Sequence, residues 1–506
     1  MPSTLALAAA GVVAAYAFLR ALAVFLRDPR EPKAVIGTIP FISPLIGMLI
    51  EKGGYYIRLR DSLKLPIYTL CVPGPPIYVV NSLSLIQRID RHILTVAFAP
   101  IQVRACEKAM GVGESGMAKI KKDTLPRAFA PAAAPGPGLD ALNRAAVGNF
   151  AASFDKIASE RPKSVNLFHW IRHEIFSATM DASYGPHNPF RDPKNEKAWF
   201  EFEEGIMALL MDVFPGVFAR KSLKALDQMV KEFTHYFKGD GHLEGSLLVK
   251  LREKHNAAFG LDTIDTAHCE IGQVAGGVVN TAPTVFWLVW QVLADPVVFA
   301  DCRAEVAKLV RTDADGKHTI DLAEVRTECP ILLSTWQEVL RYHGISIAAR
   351  IVQEDTMVDD QFLLKKGGVV MMPNAVIHSD QSLWGPTVGQ FNHKRFLKSS
   401  AKDASTRRPA AAFRGFGSGH VLCPGRHFAS TEALAFLALV LARFDVRPVT
   451  GEWKEPKKDM VMDRACPLPK TDVFVELRPR DDKEWRVVFS DTRAGINIVA
   501  EDLGEA

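Results

Sequence analysis

A glycine-rich segment near the C-terminal end of the chain places one cysteine where its sulfur can reach a metal. Residues 416–425 read Phe-Gly-Ser-Gly-His-Val-Leu-Cys-Pro-Gly, with Cys423 after a tight turn and before an apolar run. Gly417 and Gly419 can take positive φ without steric cost, so the loop can turn sharply and bring backbone N–H groups towards the sulfur. The segment therefore predicts a single soft thiolate ligand on a rigid loop.

The alternative is a buried and inert thiol, which is the better interpretation of an isolated cysteine. The ten-residue pattern favours the ligand, because it resembles the haem-binding signature of the cytochromes P450, Phe-Gly-x-Gly-x-x-x-Cys-x-Gly. By that resemblance Cys423 binds the iron of haem b, Phe416 lies against the macrocycle, and the two glycines shape the loop. Many family members hold a haem propionate with Arg or His two residues before the cysteine, where this chain has Val421. The resemblance gives part of that role to Arg350.

Three charged residues upstream of the loop match a second motif of the family. Glu338 and Arg341 are three residues apart, the spacing that puts a carboxylate and a guanidinium on one helix face. Alone, such a pair would be an ordinary surface ion pair. Arg395, within residues 391–396, resembles the third member of a buried network in the P450 family. The resemblance therefore predicts that these three side chains form a structural ion network behind the cysteine loop.

A long uncharged run is predicted to form the opposite wall of the haem pocket. Residues 271–293 contain no charged side chain and are long enough for a helix through the middle of a large domain. Asn280 stands where most P450 monooxygenases have an acid, Thr281 is retained, and Pro283 loosens the preceding turn by removing a backbone N–H. By resemblance, Thr281 and Asn280 help to deliver protons for oxygen activation. The alternative for Thr281 is a hydroxyl bonded only to its own helix.

The same run indicates a branch of the family. Its sequence is similar to that of the cholesterol 7-alpha-hydroxylase, oxysterol hydroxylase and prostacyclin synthase branch, through Asn280, Thr281, Pro283, Phe286 and Trp287. The hydroxylases of that branch keep the threonine, whereas the prostacyclin synthase type, which rearranges a peroxide, does not. We therefore expect a haem-thiolate monooxygenase. Two alternatives stay open: a haem-thiolate isomerase or dehydratase that acts on a peroxide without a reductase, and a non-catalytic haem sensor.

The resemblance also implies the partners and the class of substrate. Electrons from NADPH arrive through NADPH-cytochrome P450 reductase, and O2 is used to hydroxylate a C–H bond. The expected pocket walls are small or apolar: Val274, Gly277, Val278, residues 344–349, Cys466, Pro467 and Leu468. Such walls fit a bulky lipophilic substrate such as a steroid, terpenoid or polyketide, including one of secondary metabolism. The net charge of +4 is too small to indicate a nucleic-acid partner.

The N-terminal residues predict an anchor in a membrane. Residues 5–26 are apolar except for Arg20, and a helix needs about 20 such residues to cross the hydrocarbon core. A cleaved signal peptide would carry Lys or Arg before the apolar run, and here none precedes it. The basic residues that follow the run favour a cytosolic location for the rest of the chain. We therefore expect a single-pass protein of the endoplasmic reticulum whose catalytic domain faces the cytosol.

The resemblance predicts a mainly α fold with a small β region, the cytochrome P450 fold. We expect an anchor at residues 1–27, a non-helical proline-rich stalk at 28–48, one haem-containing catalytic domain at 49–480, and a polar, solvated tail at 481–506. A chain of 506 residues with 48% hydrophobic content can bury a large core. Seven cysteines without a repeating spacing argue against a disulfide framework.

Overall fold

Helices form most of the protein, and the strands gather into small sheets, so the mainly α architecture expected from the sequence is confirmed. The computed structural model describes residues 4–25, 27–121, 126–160, 163–212, 214–397, 409–499 and 502. The α-helices are Thr4–Phe25 (α1), Ser43–Ile50 (α2), Gly53–Leu63 (α3), Leu83–Ile89 (α4), Ala99–Arg104 (α5), Glu114–Ile120 (α6), Pro126–Ala133 (α7), Pro137–Ser159 (α8), Leu167–Tyr184 (α9), Pro193–Glu203 (α10), Ile206–Met211 (α11), Pro215–Phe218 (α12), Arg220–Lys238 (α13), Leu247–Ala258 (α14), Thr263–Val278 (α15), Thr281–Ala294 (α16), Pro296–Leu309 (α17), Val325–Glu328 (α18), Pro330–Tyr342 (α19), Asn374–His378 (α20), Gln381–Trp384 (α21) and Arg426–Arg443 (α22).

The strands form one six-stranded sheet and several sheets of two or three strands. They are Ala34–Val35 (β1), Ile67–Leu70 (β2), Ile77–Val80 (β3), Val96–Ala97 (β4), Lys163–Asn166 (β5), Val310–Thr312 (β6), His318–Asp321 (β7), Ile347–Val352 (β8), Thr356–Val358 (β9), Phe362–Leu364 (β10), Val369–Pro373 (β11), Phe444–Pro448 (β12), Lys458–Asp459 (β13), Leu468–Pro469 (β14), Phe474–Pro479 (β15) and Trp485–Val488 (β16). The largest sheet has the order β1-β2-β3-β11-β8-β4. Antiparallel pairing with β11 places Arg350 of β8 opposite Val370.

The helix that follows the cysteine lies in the middle of the hydrophobic core. The sequence of α22 is apolar on nearly every side, which is typical of a helix buried all round. Its Phe436 meets the rings of Phe150 and Phe154 of α8 at centroid distances of 5.4 and 5.5 Å, both edge to face. Because α22 is held by the core, the loop that precedes it is fixed at its C-terminal end.

The uncharged run forms two helices instead of the single helix expected from its length. The first, α15, ends at Val278 and the second, α16, begins at Thr281. Pro283 is the third residue of α16, and it lacks the N–H that would bond the carbonyl four residues earlier. The interruption therefore falls at Val279 and Asn280, where the sequence predicted a loosened turn.

The apolar N-terminal run forms a helix, α1. Its stretch Ala10–Ala23 is strongly apolar, which is compatible with membrane association. Among the described residues, the stretch that is long and apolar enough to cross a membrane is 263–294, whereas Ala10–Ala23 is shorter. The stretch 263–294 is mostly buried inside the protein, so it is a core segment.

Residues 28–48 differ from the predicted non-helical stalk. β1 pairs in parallel with β2, so the segment joins the largest sheet. Further along, α2 begins within the segment and has Pro44 in its first turn. A proline is favourable there, because the first N–H groups of a helix have no partner within it. The prediction failed because it treated every proline as a helix breaker.

The prediction of a polar, solvated tail holds for residues 481–484, which are exposed, but is wrong for the apolar residues that follow. β16 pairs in parallel with β7. The segment after β16 then packs back onto the rest of the protein. Ile496, Ile498 and Val499 are buried in the same hydrophobic cluster as α16 and α22. The acidic residues at the end of the chain suggested solvent exposure and obscured this apolar run. Except for Asp502, the residues after 499 lie outside the described part of the chain.

Candidate active site

One cavity of about 500 Å³ brings most of the predicted site residues together. The cysteine loop forms part of its wall, the junction between α15 and α16 forms another part, and β8 contributes an arginine. The predicted residues on this wall are Phe416, Gly417, Cys423, Asn280, Thr281 and Arg350. Gly419 belongs to the loop but does not line the cavity. The Cys423 thiol and the Thr281 hydroxyl therefore line the same cavity.

The backbone of the cysteine loop requires glycine at two positions. Gly417 and Gly419 have φ of +85° and +56°, a region that side-chain-bearing residues rarely adopt. A Cβ atom on Gly417 would also lie 3.0 Å from the carbonyl oxygen of Val421. The N–H of Cys423 donates to the carbonyl oxygen of Phe416 at 2.9 Å, which closes the turn. The loop therefore holds the cysteine in one orientation.

The donor set of the cavity suits haem iron better than a bare metal ion. Burial raises the pKa of the Cys423 thiol, while the N–H of Gly425 and the charge of Arg426 oppose that rise. Among the described residues, no cluster of three or more His, Cys, Asp and Glu side chains could hold a metal ion. A bare ion needs several protein ligands, whereas haem brings four nitrogen ligands of its own. One cysteine on a large, mostly apolar cavity therefore fits haem.

Two buried arginines lie beside the cavity and share one carboxylate. Arg350 Nη2 lies 3.7 Å from Asp90 Oδ1, and Arg414 Nη1 lies 3.8 Å from Asp90 Oδ2. Arg414 Nε also donates to Asn374 Oδ1 at 3.2 Å. Because the guanidinium of Arg350 lines the cavity, it can bind an anion such as a haem propionate there. Sequence reasoning missed Arg414, which lies just before the quoted signature.

The structure brings the three predicted network residues into contact. Arg341 donates to both oxygens of Glu338 at 2.7 Å, and Arg395 Nε lies 3.0 and 3.1 Å from the same oxygens. Glu338 is 0% exposed, and the N–H of Asn392 donates to its Oε1 at 3.0 Å. Arg341 Nη1 also donates to the carbonyl oxygen of His378 at 2.9 Å. The network therefore joins α19 to the end of α20 and to the loop that carries Asn392 and Arg395.

The helix that carries this network also supports the cysteine loop. The ring of Trp336, in α19, lies 6.3 Å from the ring of Phe416. A Cβ atom on Gly415 would lie only 3.0 Å from Cβ of Leu340, so the backbone of the loop packs directly on the helix. Displacing α19 would therefore move the wall of the cavity that carries Phe416.

The two predicted distal residues already have hydrogen-bond partners. Thr281 Oγ1 donates to the carbonyl oxygen of Gly277 at 2.9 Å, which is the own-helix bond that the sequence left open as an alternative. Its oxygen can still accept a hydrogen bond from the cavity. Asn280 Oδ1 accepts from the N–H of Ala465 at 2.8 Å, which ties the junction to the C-terminal hairpin, formed by β13 and β14. The NH2 group of Asn280 is therefore the part that can order water.

A buried acid behind the cavity wall, Glu432, was not predicted from the sequence. Thr179, which lines the cavity, has its Oγ1 2.7 Å from Glu432 Oε1 and 2.8 Å from the carbonyl oxygen of Ile175. A hydroxyl has one proton, so both contacts are satisfied when Glu432 is neutral and donates to Thr179. Burial raises the pKa of Glu432 to about 8. No local pattern could reveal this pair, because its members are 253 residues apart.

Glu432→Gln is expected to change how the stability of the protein depends on pH. The folded protein keeps a proton up to about pH 8, whereas the unfolded chain loses it near the ordinary pKa of 4.5. Stability therefore falls as pH rises through that window, and the glutamine removes the fall. Urea titrations at pH 5 and pH 8 should show the variant gaining on the order of 3 kcal/mol relative to wild type at the higher pH.

The exposed Glu204 provides a matched control for this substitution. Glu204→Gln should leave the difference between the two pH values as it is in the wild-type protein. If Glu432→Gln and wild type lose the same stability between pH 5 and pH 8, then Glu432 is ionised in the folded protein and the neutral pairing with Thr179 is wrong.

Comparison with known proteins shows the family. The Cytochrome P450 family model matches residues 205–470. Cytochrome P450 monooxygenase nodJ of Hypoxylon pulicicidum is 35% identical over 92% of this chain and 94% of its own length. A cytochrome P450 monooxygenase of Gibberella zeae is 26% identical over 84% and 83%, and the cholesterol 7-alpha-monooxygenase of Cricetulus griseus is 25% identical over 42% and 45%. The chain belongs to the cytochrome P450 family of monooxygenases, as the cysteine loop predicted.

Proposed function

We propose that this protein hydroxylates a bulky lipophilic substrate with O2 and electrons derived from NADPH. The observation that carries the proposal is that the Cys423 thiol and the Thr281 hydroxyl line the same cavity. Haem b, when bound, would supply the oxygen chemistry. In this proposal the Cys423 sulfur binds the iron, Phe416 lies against the macrocycle, and Arg350 with Arg414 binds a propionate. The protein otherwise orients the substrate, excludes water and directs protons towards the cavity.

The character of the cavity wall supports a lipophilic substrate. Gly277 and residues 346–349 line the cavity, as expected for pocket walls, and Ala465 joins them from the C-terminal hairpin. Val274 and Val278 are buried in the neighbouring hydrophobic cluster instead. Small and apolar walls favour substrates with a rigid hydrocarbon body. We therefore propose a steroid, terpenoid or polyketide, including one of secondary metabolism.

The position of Thr281 supports a hydroxylase over a haem-thiolate isomerase or dehydratase. A peroxide rearrangement needs no proton delivery, whereas oxygen activation does, and Thr281 is placed on the cavity where it can take part. Electrons would come from NADPH-cytochrome P450 reductase. The test is a reconstitution of the enzyme with reductase, NADPH and a metabolite extract. A product that gains one oxygen atom with consumption of NADPH supports the proposal, whereas conversion of a peroxide without NADPH overturns it.

We further propose that α1 anchors the protein in the membrane of the endoplasmic reticulum as a single-pass helix. Two other segments expose large apolar side chains that a membrane surface could cover. These are Leu45, Ile46, Leu49 and Ile50 of α2, and Met211, Phe214, Val217 and Phe218 around α12. The catalytic domain would face the cytosol, where the reductase supplies electrons.

Thr281→Ala is expected to separate NADPH consumption from product formation. Haem and substrate should still bind, because a single hydroxyl contributes only about 1 kcal/mol to stability. Without the hydroxyl, protons reach the cavity less reliably, so the ratio of hydroxylated product to NADPH consumed should fall several-fold while hydrogen peroxide rises. The measurement is that ratio, with peroxide assayed in the same reaction.

Two variants control for this interpretation. Thr281→Ser keeps the hydroxyl and should restore most of the coupling between NADPH and product. Thr335 makes the same kind of bond, 2.7 Å to the carbonyl oxygen of Ile331, but does not line the cavity, so Thr335→Ala should stay coupled. If Thr281→Ala remains as well coupled as wild type, the hydroxyl has no part in proton delivery and the isomerase alternative gains support.

A further inference from the structure

The chain beyond β16 runs back to the helix that carries the cysteine loop. We call its described part, residues 489–499 with Asp502, the C-terminal strap. The backbone N–H groups of Thr492 and Arg493 donate to Asp140 Oδ2 at 2.9 and 2.7 Å, which fixes the start of the strap to α8. Asp140 is buried, so this is an internal attachment and not a surface contact.

The middle of the strap packs against the first turn of α22. His427 Nδ1 lies 2.9 Å from the carbonyl oxygen of Ile496, within hydrogen-bond distance. A Cβ atom on Gly495 would lie 2.4 Å from the same ring nitrogen, so only glycine allows the backbone to approach this closely. Gln337 of α19 donates to the carbonyl oxygen of Ile498 at 2.8 Å. The strap therefore contacts both helices that support the cysteine loop.

The carboxylate of Asp502, at the end of the described strap, is linked to Cys423 by the side chain of Arg426. Asp502 Oδ1 accepts from Nε and Nη2 of Arg426 at 2.9 and 2.5 Å. Arg426 Nη1 donates to the carbonyl oxygen of Cys423 at 3.2 Å. The side chain of Asp502 is only 3% exposed, so little solvent screens the pair. Asp502, Arg426 and Cys423 thus form a continuous line of hydrogen bonds.

This line of hydrogen bonds affects both the position of the cysteine residue and the charge near its sulfur. The guanidinium of Arg426 clamps the carbonyl end of the cysteine residue, and Asp502 fixes where that guanidinium lies. The positive charge of Arg426 beside a thiolate would reduce the electron density that the sulfur offers to a metal. The carboxylate of Asp502 compensates that charge. A buried charge partner of this kind is one of the means by which a protein adjusts the potential of a bound iron.

We propose that Asp502 is a positioning residue of the cysteine-ligand site, which makes the C-terminal strap part of that site. Through Arg426 it holds the Cys423 loop and keeps the thiolate electron-rich. The proposal rests on the proposed role of Cys423 as the haem ligand. It assigns a function to a segment that lies beyond residues 205–470, the part matched to the family.

The test compares Asp502→Asn with wild type in the full-length, haem-loaded protein. The asparagine keeps the shape but leaves the charge of Arg426 uncompensated, and that charge favours the reduced iron. We expect a more positive midpoint potential, and a faster loss of the red-shifted band of the reduced carbon monoxide complex. Asp502→Glu should restore both properties. Asp491→Asn is the matched control, because Asp491 lies in the same strap but its ion pair with Arg144 is exposed.

A second background tests the route through Arg426. In Arg426→Gln protein, adding Asp502→Asn should speed the loss of the band no further, because the guanidinium that Asp502 positions is already gone. The proposal is overturned if Asp502→Asn leaves both the potential and the band as in wild type, or if it still speeds the loss of the band in the Arg426→Gln background. Absence of the red-shifted band in wild type would instead contradict the proposed function, so the two failures are distinguishable.

Discussion

Cys423→Ala protein should lose the red-shifted absorption band that a reduced haem-thiolate gives with carbon monoxide. In our proposal the Cys423 sulfur is the protein's bond to the iron, so its removal abolishes the thiolate signal and most of the haem retention. No other thiol can take over as the ligand, because Cys423 is the only cysteine among the described residues that line the cavity. The expected loss is complete, and a carbon monoxide difference spectrum measures it.

Cys106 provides the control for this substitution. Like Cys423 it is not fully buried, whereas Cys71, Cys269, Cys302, Cys329 and Cys466 are. It does not line the cavity, so Cys106→Ala should keep the band at wild-type intensity. A normal red-shifted band in Cys423→Ala would contradict the role of Cys423 as the ligand, since the thiolate would then have to come from another cysteine.

Local sequence was sufficient for the parts of the site that a single segment defines. The cysteine loop is ten residues long, and its glycines, its turn and its thiol are neighbours in the chain. The pair Glu338 and Arg341 depends only on helical spacing, because residues three apart share a helix face. The position of Arg395 could be reached only through the resemblance, since nothing local ties it to a helix more than 50 residues earlier.

Contacts between distant segments were beyond the reach of sequence reasoning. Asp90 and Arg350 come from different parts of the chain, as do Thr179 and Glu432, and no periodic pattern links either pair. The tail prediction failed for a related reason, since composition cannot show that the core leaves room for Ile496 and its neighbours. The packing of α22 decides the positions of Glu432 and Ile496, and it needs the whole fold to be known.

The fold shows the same division between local and distant information. The absence of charge over residues 271–293 predicted a buried helix, and most of that run is buried in α15 and α16. Pro283 predicted a loosened turn, and the structure has an interruption of the helix at Val279 and Asn280, whose backbone angles stay helical. The bond between Asn280 and Ala465 shows what stabilises that interruption. Since the hairpin is far away in sequence, only the structure could supply this partner.

Arg341→Ala should destabilise the protein by about 3–5 kcal/mol and lower its haem content. The substitution leaves the fully buried Glu338 carboxylate with Arg395 as its remaining guanidinium partner. It also removes the donor to the carbonyl oxygens of His378 and Val388. Arg341→Lys should recover only part of the loss, because an ammonium group cannot reproduce the two parallel bonds of the guanidinium. Urea unfolding and haem absorbance measure the two effects.

The pair of Arg58 and Glu51 isolates the contribution of burial to this expected loss. Arg58 also donates to both carboxylate oxygens, at 2.6 Å, but its side chain is 55% exposed. Arg58→Ala should therefore cost about 1 kcal/mol or less, since water replaces the lost partner. If Arg341→Ala unfolds at the same urea concentration as Arg58→Ala and keeps normal haem content, burial of the network does not stabilise the cysteine loop. The larger loss expected for Arg341 follows from the burial of Glu338. Solvent cannot reach this carboxylate to replace the two bonds of the guanidinium.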